Sequence, residues 1–319
     1  MYKISVIIPV FNSSLYLDHC LSTVVNQTLM DIEIILIDDG STDDSLNVIK
    51  NYAKKYNNIK YTSKENEGQA IARNIGIQMS SGEFITFIDS DDYVSTNHIE
   101  HLYNIIITSQ ADMAIEWGQT FYEGAIPIID TLDGKKEVIL NPNEALANMF
   151  YQKDFDTNAW AKLYKRSLFE GIRYPKGWLY EDLPTTYRLI QRCKKVVFSD
   201  YKSYYYLLRS NSIEGAPFKI QKYESCIKII QQLEQDRTNM SVSVQKALDC
   251  RIVSFAFHIL LEVPNTQNNI RNNLLNIIKD KRKSALFNNN ARKKVRIACM
   301  LTYIGMWAID ILAKYGKSR

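Results

Sequence analysis

The sequence predicts an α/β protein with a doubly wound, mostly parallel sheet, followed by a helical, basic C-terminal region. Over the first 116 residues, short β-branched apolar runs alternate with segments in which apolar residues recur at helical spacing. The charge balance also changes along the 319 residues: residues 1–218 hold 21 Lys and Arg against 28 Asp and Glu, whereas residues 219–319 hold 18 against 7. An acidic first part and a basic last part suggest two functions, one of them near an anionic surface.

The predicted strands and helices alternate strictly in the first part of the chain. The strands are predicted at ISVIIPV (4–10), EIILIDD (33–39), NIKYTS, EFITFID and ADMAIEW. The helices between them are predicted at SLYLDHCLSTVVNQT, SLNVIKNYAKKY, GQAIARNIGIQMS and NHIEHLYNIIITS. Strands that are apolar along nearly their whole length are typical of a sheet covered by helices on both faces.

The cysteines and the N-terminus point to a cytosolic protein. The five cysteines are scattered without a CxxC pair, which argues against a zinc site and a disulfide framework and favours reduced thiols. The N-terminal sequence MYKISVIIPVF lacks the basic and long apolar regions of a signal peptide, so we expect it to form the first strand.

Acidic residues follow two of the predicted strands. Asp38 and Asp39 end the second strand, and Asp89, Asp91 and Asp92 end the fourth. Because ligands of such sheets bind beyond the carboxyl ends of the strands, these side chains are predicted to project from one edge. Carboxylates without a nearby His or Cys suit a hard divalent cation, Mn²⁺ or Mg²⁺, that keeps water or phosphate as further ligands. The alternative is that the acids are turn formers and helix caps.

No glycine-rich phosphate loop follows the first strand. The motifs GxGxxG and GxxxxGK[ST] are missing there, and PVFNSS occupies the place. This weakens the assignment of an NAD-binding protein or an ATPase. It also weakens a nucleotidyltransferase that makes nucleotide sugars, which would share the sheet and the acids.

Three blocks of the sequence resemble family 2 inverting glycosyltransferases, which have the GT-A fold. The blocks are SVIIPVFNSSLYLDHCLSTVVNQTLMDIEIILIDDGSTDDS, NEGQAIARNIGI and GEFITFIDSDDYV, and they cover most of the first 110 residues in the family's order. The resemblance implies a nucleotide-sugar donor, usually a UDP-sugar, and a metal at the DSD motif.

The resemblance also implies roles for residues near the nucleotide. Pro9 and Phe11 would lie against the base, and Asp39 would accept a hydrogen bond from N3–H of uracil. Arg73 would sit near the acidic groups of the nucleotide, although an ordinary helix-surface arginine is the alternative.

Four further residues are assigned to the metal and the diphosphate by the same resemblance. Asp91 would hold the metal, with Asp89 directed towards the ribose or the waters of the metal. Arg209 and Ser212, in the block YYYLLRSNSI, would close over the diphosphate, for which a bidentate guanidinium is well suited.

The acceptor side resembles the family in the blocks TNAWAKLYKRSLF and WLYEDLPTTYRLI. The resemblance makes Asp182 the general base, which takes the proton of the acceptor hydroxyl as that oxygen attacks the anomeric carbon. Glu181 is the next candidate and is expected to contact the acceptor. The alternative is that a carboxylate at a helix start only interacts with the helix dipole. Trp160, Lys162 and Trp178 are predicted to line the acceptor groove, with packing as the alternative.

The predicted domains are a catalytic domain over 1–216, with a nucleotide-sugar half at about 1–116 and an acceptor half at about 117–216, and a helical basic region over 217–319. Between Arg296 and Asp310 lie 13 uncharged residues, fewer than the ~20 that span a bilayer. Basic clusters beside them predict a helix in the headgroup region of an anionic leaflet. A helix packed on the domain is the alternative.

The resemblance, together with the acidic strand ends, implies a metal-dependent inverting glycosyltransferase that moves a sugar from a nucleotide donor, usually UDP-linked in this family, to a saccharide acceptor. We expect a lipid-linked acceptor in the synthesis of a bacterial capsule, exopolysaccharide or other surface glycan, and a cytoplasmic protein attached to the inner face of the membrane. A nucleic acid partner is not expected, because no reader motif accompanies the basic clusters. The other open classes are the nucleotidyltransferase and a non-catalytic sugar-binding module, which would need no base.

Overall fold

One mixed sheet organises the first part of the molecule. The computed structural model describes residues 2–123, 136–208 and 218–305, and within these ranges nine strands form this sheet. The strands are β1 (Ile4–Val10), β2 (Ile32–Asp38), β3 (Ile59–Ser63), β4 (Phe84–Phe87), β5 (Tyr93–Val94), β6 (Met113–Tyr122), β7 (Glu137–Leu140), β8 (Lys162–Lys165) and β9 (Val196–Leu208). Their order is β3-β2-β1-β4-β8-β6-β9-β5, and β7 also pairs with β9.

Ten α-helices lie in the described parts of the chain. They are α1 (Ser14–Val25), α2 (Ser45–Lys55), α3 (Gln69–Met79), α4 (His98–Ser109), α5 (Pro142–Tyr151), α6 (Asp182–Arg192), α7 (Ile220–Gln235), α8 (Val242–Glu262), α9 (Asn268–Leu286) and α10 (Lys293–Ile304). None of these described helices is both long enough and apolar enough to cross a bilayer.

The half of the sheet formed by β3, β2, β1 and β4 is entirely parallel, as predicted. Ile4 of β1 lies opposite Ile32 on one side and Phe84 on the other. Every residue of β1 and β2 is buried, because helices connect successive strands and cover both faces. The four helices α1 to α4 that the sequence predicts between strands are all present.

The other half of the sheet is mixed, which strict alternation of strands and helices did not predict. Strand β8 arrives from later in the chain and pairs antiparallel with both β4 and β6. The strand predicted at ADMAIEW is therefore part of β6, but it is separated from β4 by β8. Strand β9 runs parallel to β6 and antiparallel to the short β5, which directly follows the acidic residues after β4.

The chain divides into two compact units. The first consists of Met1–Pro142 and Thr157–Gly215, and the second of Asn143–Asp156 and Ala216–Arg319. Residues 143–156 fall in the same unit as the C-terminal helices; the predicted domain bounds at 116 and 216 stay a prediction. In the second unit, α8 is buried on nearly all sides, while Lys222 of α7 pairs with Glu262 of α8 at 2.6 Å.

The contact between α3 and β1 depends on Gly76. A Cβ built on Gly76 would overlap with Cγ2 of the fully buried Ile7. We therefore predict that Gly76→Ala lowers the free energy of unfolding by about 1–3 kcal/mol, because α3 must move away from a packed strand. Urea denaturation measures this change. Gln78→Ala, at an exposed position of the same helix, is the control and should leave the midpoint unchanged or slightly raised. An unchanged midpoint for Gly76→Ala would show that α3 is not held against β1.

Candidate active site

A cavity of about 550 Å³ opens at the carboxyl ends of β1, β2 and β4. Five of the predicted site residues line it: Pro9, Phe11, Asp39, Asp89 and Asp91. The lining residues that were not singled out in the sequence include Asn66, Gln69, Tyr206 and Leu207. The parallel sheet brings these side chains together because its strands end at one edge.

The turn after β1 forms one wall of the cavity. Phe11 is 47% exposed there, so a face of its ring is available to a flat ligand. The following Asn12 has a left-handed φ of 47°, and its side-chain oxygen accepts a hydrogen bond from the main-chain N–H of Thr42 at 2.8 Å. The hydroxyls of Ser13 and Ser90 are 2.7 Å apart. These contacts join the turn to the loops after β2 and β4.

The carboxylate of Asp39 is buried and held by three donors. Its Oδ1 accepts from Lys64 Nζ at 2.5 Å and from the main-chain N–H of Glu67 at 3.0 Å, and its Oδ2 accepts from the N–H of Gly68 at 2.8 Å. Lys64 is 13% exposed and was not singled out in the sequence. Asp38, by contrast, accepts from Ser63 Oγ at 2.6 Å and is not among the residues that line the cavity.

The three acids after β4 divide into two kinds. Asp89 and Asp91 line the cavity, whereas Asp92 is fully buried and accepts from the hydroxyl of Tyr204 at 2.6 Å and from the N–H of Leu207 at 2.9 Å. Burial, and then the charges of Asp89 and Asp91, raise the pKa of Asp92 well above its usual value. Asp92 therefore anchors β9 to this loop.

The donor set fits a divalent cation that is shared with a ligand. In the described residues, no three His, Cys, Asp or Glu side chains are grouped so as to hold a metal by themselves. Asp89 and Asp91 supply hard carboxylate oxygens at the cavity wall, and Gln69 Nε2 donates to Asp89 Oδ1 at 2.9 Å. A cation held by so few protein oxygens completes its shell with phosphate and water, as Mg²⁺ commonly does.

A buried arginine connects the acidic loop to the start of α6. Nη1 of Arg73 lies 2.8 Å from Glu181 Oε1 and 2.9 Å from Asp182 Oδ1, and its Nη2 lies 3.1 Å from Asp89 Oδ1. Its guanidinium also lies 5.4 Å from the centre of the Tyr174 ring. Its ion pairs are with these three protein carboxylates, and it does not line the cavity. A role at the nucleotide, which the sequence predicted, stays a prediction.

Asp182 has the electrostatic character of a base that works near neutral pH. Burial raises its pKa to about 7; Arg73 opposes this shift, whereas Glu181 and Asp89 add to it. The side chain is 24% exposed, although it is not among the residues that line the cavity. A carboxylate with a pKa close to the working pH accepts and releases a proton readily.

An aromatic stack stands next to the cavity. The ring centre of Trp160 lies 4.7 Å from that of Tyr204 and 5.4 Å from that of Tyr206. The interplanar angles are 12° and 13°. A Cβ on Gly118 would overlap with the Trp160 ring, so this glycine lets the ring lie flat on β6. Because Tyr206 lines the cavity, the stacking of Trp160 on Tyr206 stabilises this part of the cavity wall.

The other predicted acceptor residues have different surroundings. Lys162 is 1% exposed, and its Nζ donates to the carbonyl oxygen of Asn158 at 2.6 Å. The ammonium is therefore buried and bound to the main chain, and the place of Lys162 on the acceptor groove stays a prediction. Trp178 is partly buried and does not line the cavity. Arg209 and Ser212 lie outside the described residues.

Comparison with known sequences identifies relatives along most of the chain. The family model described as glycosyl transferase family 2 matches residues 5–173. Glycosyltransferase GlyG of Streptococcus pneumoniae is 30% identical over 266 residues, which are 81% of this chain and 86% of GlyG. Glycosyltransferase GlyA of the same organism is 34% identical over 217 residues, which are 66% of this chain but only 31% of GlyA.

A solved structure has the same fold. The Staphylococcus aureus protein TarS, residues 1–349, crystallised in complex with UDP-GlcNAc, superimposes with a TM-score of 0.69 at 20% identity. The match covers 88% of this chain and 81% of the TarS chain. The prediction of the GT-A fold is thereby confirmed.

The raised pKa of Asp182 predicts a pH-dependent contribution to stability. Because the pKa rises from 3.8 to about 7 on folding, this carboxyl contributes stability below about pH 4 that is lost as the pH rises through 7. As the pH rises from 4 to 8, the free energy of unfolding of the wild type should therefore fall. The free energy of unfolding of Asp182→Asn should fall by about 1–4 kcal/mol less over the same range. Urea denaturation at each pH measures the difference. Asp31→Asn, at an exposed carboxylate, is the control and should follow the wild type. If Asp182→Asn also follows it, the pKa is not raised.

Proposed function

The chain belongs to glycosyl transferase family 2 and has the GT-A fold, and on this premise we propose that it transfers a sugar from a UDP-sugar to a saccharide acceptor with inversion at the anomeric carbon. The observation that carries the proposal is the meeting of Asp39, Asp89 and Asp91 in one cavity, with Arg73 linking Asp89 to the base candidate Asp182.

The nucleotide is proposed to bind with its base against Pro9 and Phe11. Asp39 would accept the N3–H of uracil at Oδ2, which accepts only one main-chain N–H and so keeps a lone pair, whereas Oδ1 already accepts from Lys64 and Glu67. Lys64 compensates the buried negative charge and fixes the carboxylate in one orientation. The complex of TarS with UDP-GlcNAc supports a UDP-sugar as the donor class.

The diphosphate is proposed to lie at Asp89 and Asp91. A divalent cation, Mn²⁺ or Mg²⁺, would be held by Asp91 with Asp89, and when bound it neutralises charge that develops on the leaving nucleotide. Gln69 and Arg73 fix Asp89 in place for this role. Arg209 and Ser212 remain the residues that the resemblance assigns to closing over the diphosphate.

The transfer is proposed to be a single displacement. The acceptor hydroxyl oxygen forms a bond to the anomeric carbon as the bond from that carbon to the diphosphate breaks, and Asp182 takes the hydroxyl proton. Arg73 keeps Asp182 and Glu181 fixed, so the reacting groups lose little freedom at the moment of reaction. Glu181, which shares Nη1 of Arg73 with Asp182, is proposed to contact the acceptor.

The acceptor is proposed to be a lipid-linked saccharide of a bacterial capsule, exopolysaccharide or other surface glycan. Tyr206 at the cavity wall, backed by Trp160, presents an aromatic surface of the kind that packs against sugar rings. A lipid-linked acceptor requires the enzyme at a membrane, and we propose peripheral attachment to the inner face of the cell membrane. The excess of Lys and Arg over residues 219–319 supports this location.

The proposal is tested with a panel of UDP-sugars in the presence of Mn²⁺. At least one should raise the temperature of unfolding, because a ligand that binds only the folded state stabilises it. Asp182→Asn should retain that shift but lose about 10²- to 10⁴-fold in turnover, measured as UDP release. Asp31→Asn is the control and should retain both binding and turnover. The proposal fails if no UDP-sugar raises the unfolding temperature, and the role of Asp182 fails if turnover survives.

The contact of Asp39 with the base predicts a change of nucleotide preference. Asp39→Asn places an amide where the carboxylate was, and an amide can donate to N3 of cytosine. We expect UDP to bind about 10- to 100-fold more weakly to this variant, with CDP gaining relative to UDP. Titration calorimetry measures both affinities. Glu67→Gln is the control, because its main-chain N–H still donates to residue 39. Equal losses for UDP and CDP would contradict a contact with N3.

A further inference from the structure

Helix α10 of the second unit carries apolar side chains on two opposite faces. Val295 and Cys299 are 6% and 0% exposed and form its inner face. Ile297, Met300 and Ile304 are 49%, 51% and 56% exposed. Their spacing of three and four residues places them in one row along the opposite side of the helix.

The outward row is part of a local concentration of exposed apolar surface. We call Lys293, Ile297, Met300 and Ile304 the outer face of α10, because Lys293 precedes the row by one helical turn. Five of the sixteen large apolar side chains that are exposed in the described residues lie between 287 and 304. Such a concentration marks a surface that contacts something other than water.

The helix does not need this face to stay in place. Nη1 of Arg282, on α9, donates to the carbonyl oxygen of Thr302 at 3.0 Å and to its hydroxyl at 2.8 Å. The Arg282 guanidinium also lies 3.6 Å from the centre of the Tyr303 ring. Nε of Arg296 donates to the carbonyl oxygen of Leu286 at 3.0 Å. With the inner face buried and these bonds made, α10 is anchored without the outer face.

The charges in this stretch of the sequence are nearly all positive. Residues 279–304 contain eight Lys and Arg and one acid, Asp280. The exposed lysines among them are Lys279, Lys283, Lys293 and Lys294. A nucleic acid could neutralise these lysines but would leave the apolar row in water. An anionic lipid surface satisfies both, because phosphates lie directly above an apolar layer.

We propose that the outer face of α10 is the surface by which this protein docks on anionic lipid. Ile297, Met300 and Ile304 insert at the boundary between headgroups and acyl chains, and the neighbouring lysines lie among the lipid phosphates. Only the reason for docking rests on the proposed function: docking would keep the enzyme at the membrane, where a lipid-linked acceptor is found. It extends that function by assigning the docking surface to named residues.

The test measures sedimentation of the full chain with vesicles. One vesicle is phosphatidylcholine alone, and the other is an equal mixture of phosphatidylcholine and phosphatidylglycerol. The wild type should bind the mixed vesicles and bind phosphatidylcholine far more weakly. The triple variant Ile297→Ser, Met300→Ser, Ile304→Ser should lose about 100-fold in partitioning to mixed vesicles, at about fivefold for each half-exposed side chain.

Two further variants separate the contributions of charge and of apolar area. Lys293→Gln with Lys294→Gln should weaken binding to the mixed vesicles by about fivefold for each lysine, and added salt should reduce the difference. Leu15→Ser with Met30→Ser is the matched control, since these residues of the first unit are 87% and 81% exposed. This control should bind vesicles as the wild type does.

The outcomes distinguish this inference from the proposed function. The inference is overturned if the wild type shows no preference for the mixed vesicles, or if the triple variant sediments with them as well as the wild type does. It is also overturned if the triple variant changes the oligomeric state in analytical ultracentrifugation without vesicles, because the face would then join copies of the chain. The shift of unfolding temperature by a UDP-sugar should persist in the triple variant, which shows that it is folded and that donor binding is independent of docking.

Discussion

The candidate site depends on one buried positive charge. Arg73 touches Asp89, Glu181 and Asp182, which without it would repel one another in a partly desolvated place. A buried charge is tolerated only when partners compensate it, and removing one partner from such a group is strongly destabilising. This cluster therefore ties the acidic loop after β4 to the start of α6, and it brings the proposed donor site and the proposed base into one rigid arrangement.

A second link, of aromatic and polar contacts, holds the far wall of the cavity. Asp92 accepts hydrogen bonds from Tyr204 and from the main chain of Leu207, both on β9. Trp160 stacks on Tyr204 and on Tyr206, and Tyr206 reaches the cavity. Asp92, which does not line the cavity, thus helps to position Tyr206, which does. The segment DSDD (89–92) therefore has a structural role in addition to its proposed role in binding.

The two units differ in the way they use exposed side chains. In the first unit, the informative residues are acids that the sheet edge concentrates in a cavity. In the second unit, the informative residues are exposed lysines and apolar residues along α9 and α10. Contact with a lipid surface, as proposed for them, does not require a cavity. The change of charge sign along the sequence agrees with this division between the proposed chemistry on a nucleotide and the proposed contact with an anionic surface.

The sequence by itself determined the parallel half of the sheet and the place of Asp39, Asp89 and Asp91, because an apolar run followed by acids is local information and parallel strands end at one edge. The tertiary structure alone decided the antiparallel insertion of β8, the pairing of Lys64 with Asp39 and the partners of Arg73. Arg73 and Asp182 are 109 residues apart, and no local pattern states which distant side chain a buried charge meets. The contacts of Arg73 follow from the packing of α3 on β1 and β2, which brings this side chain to the start of α6.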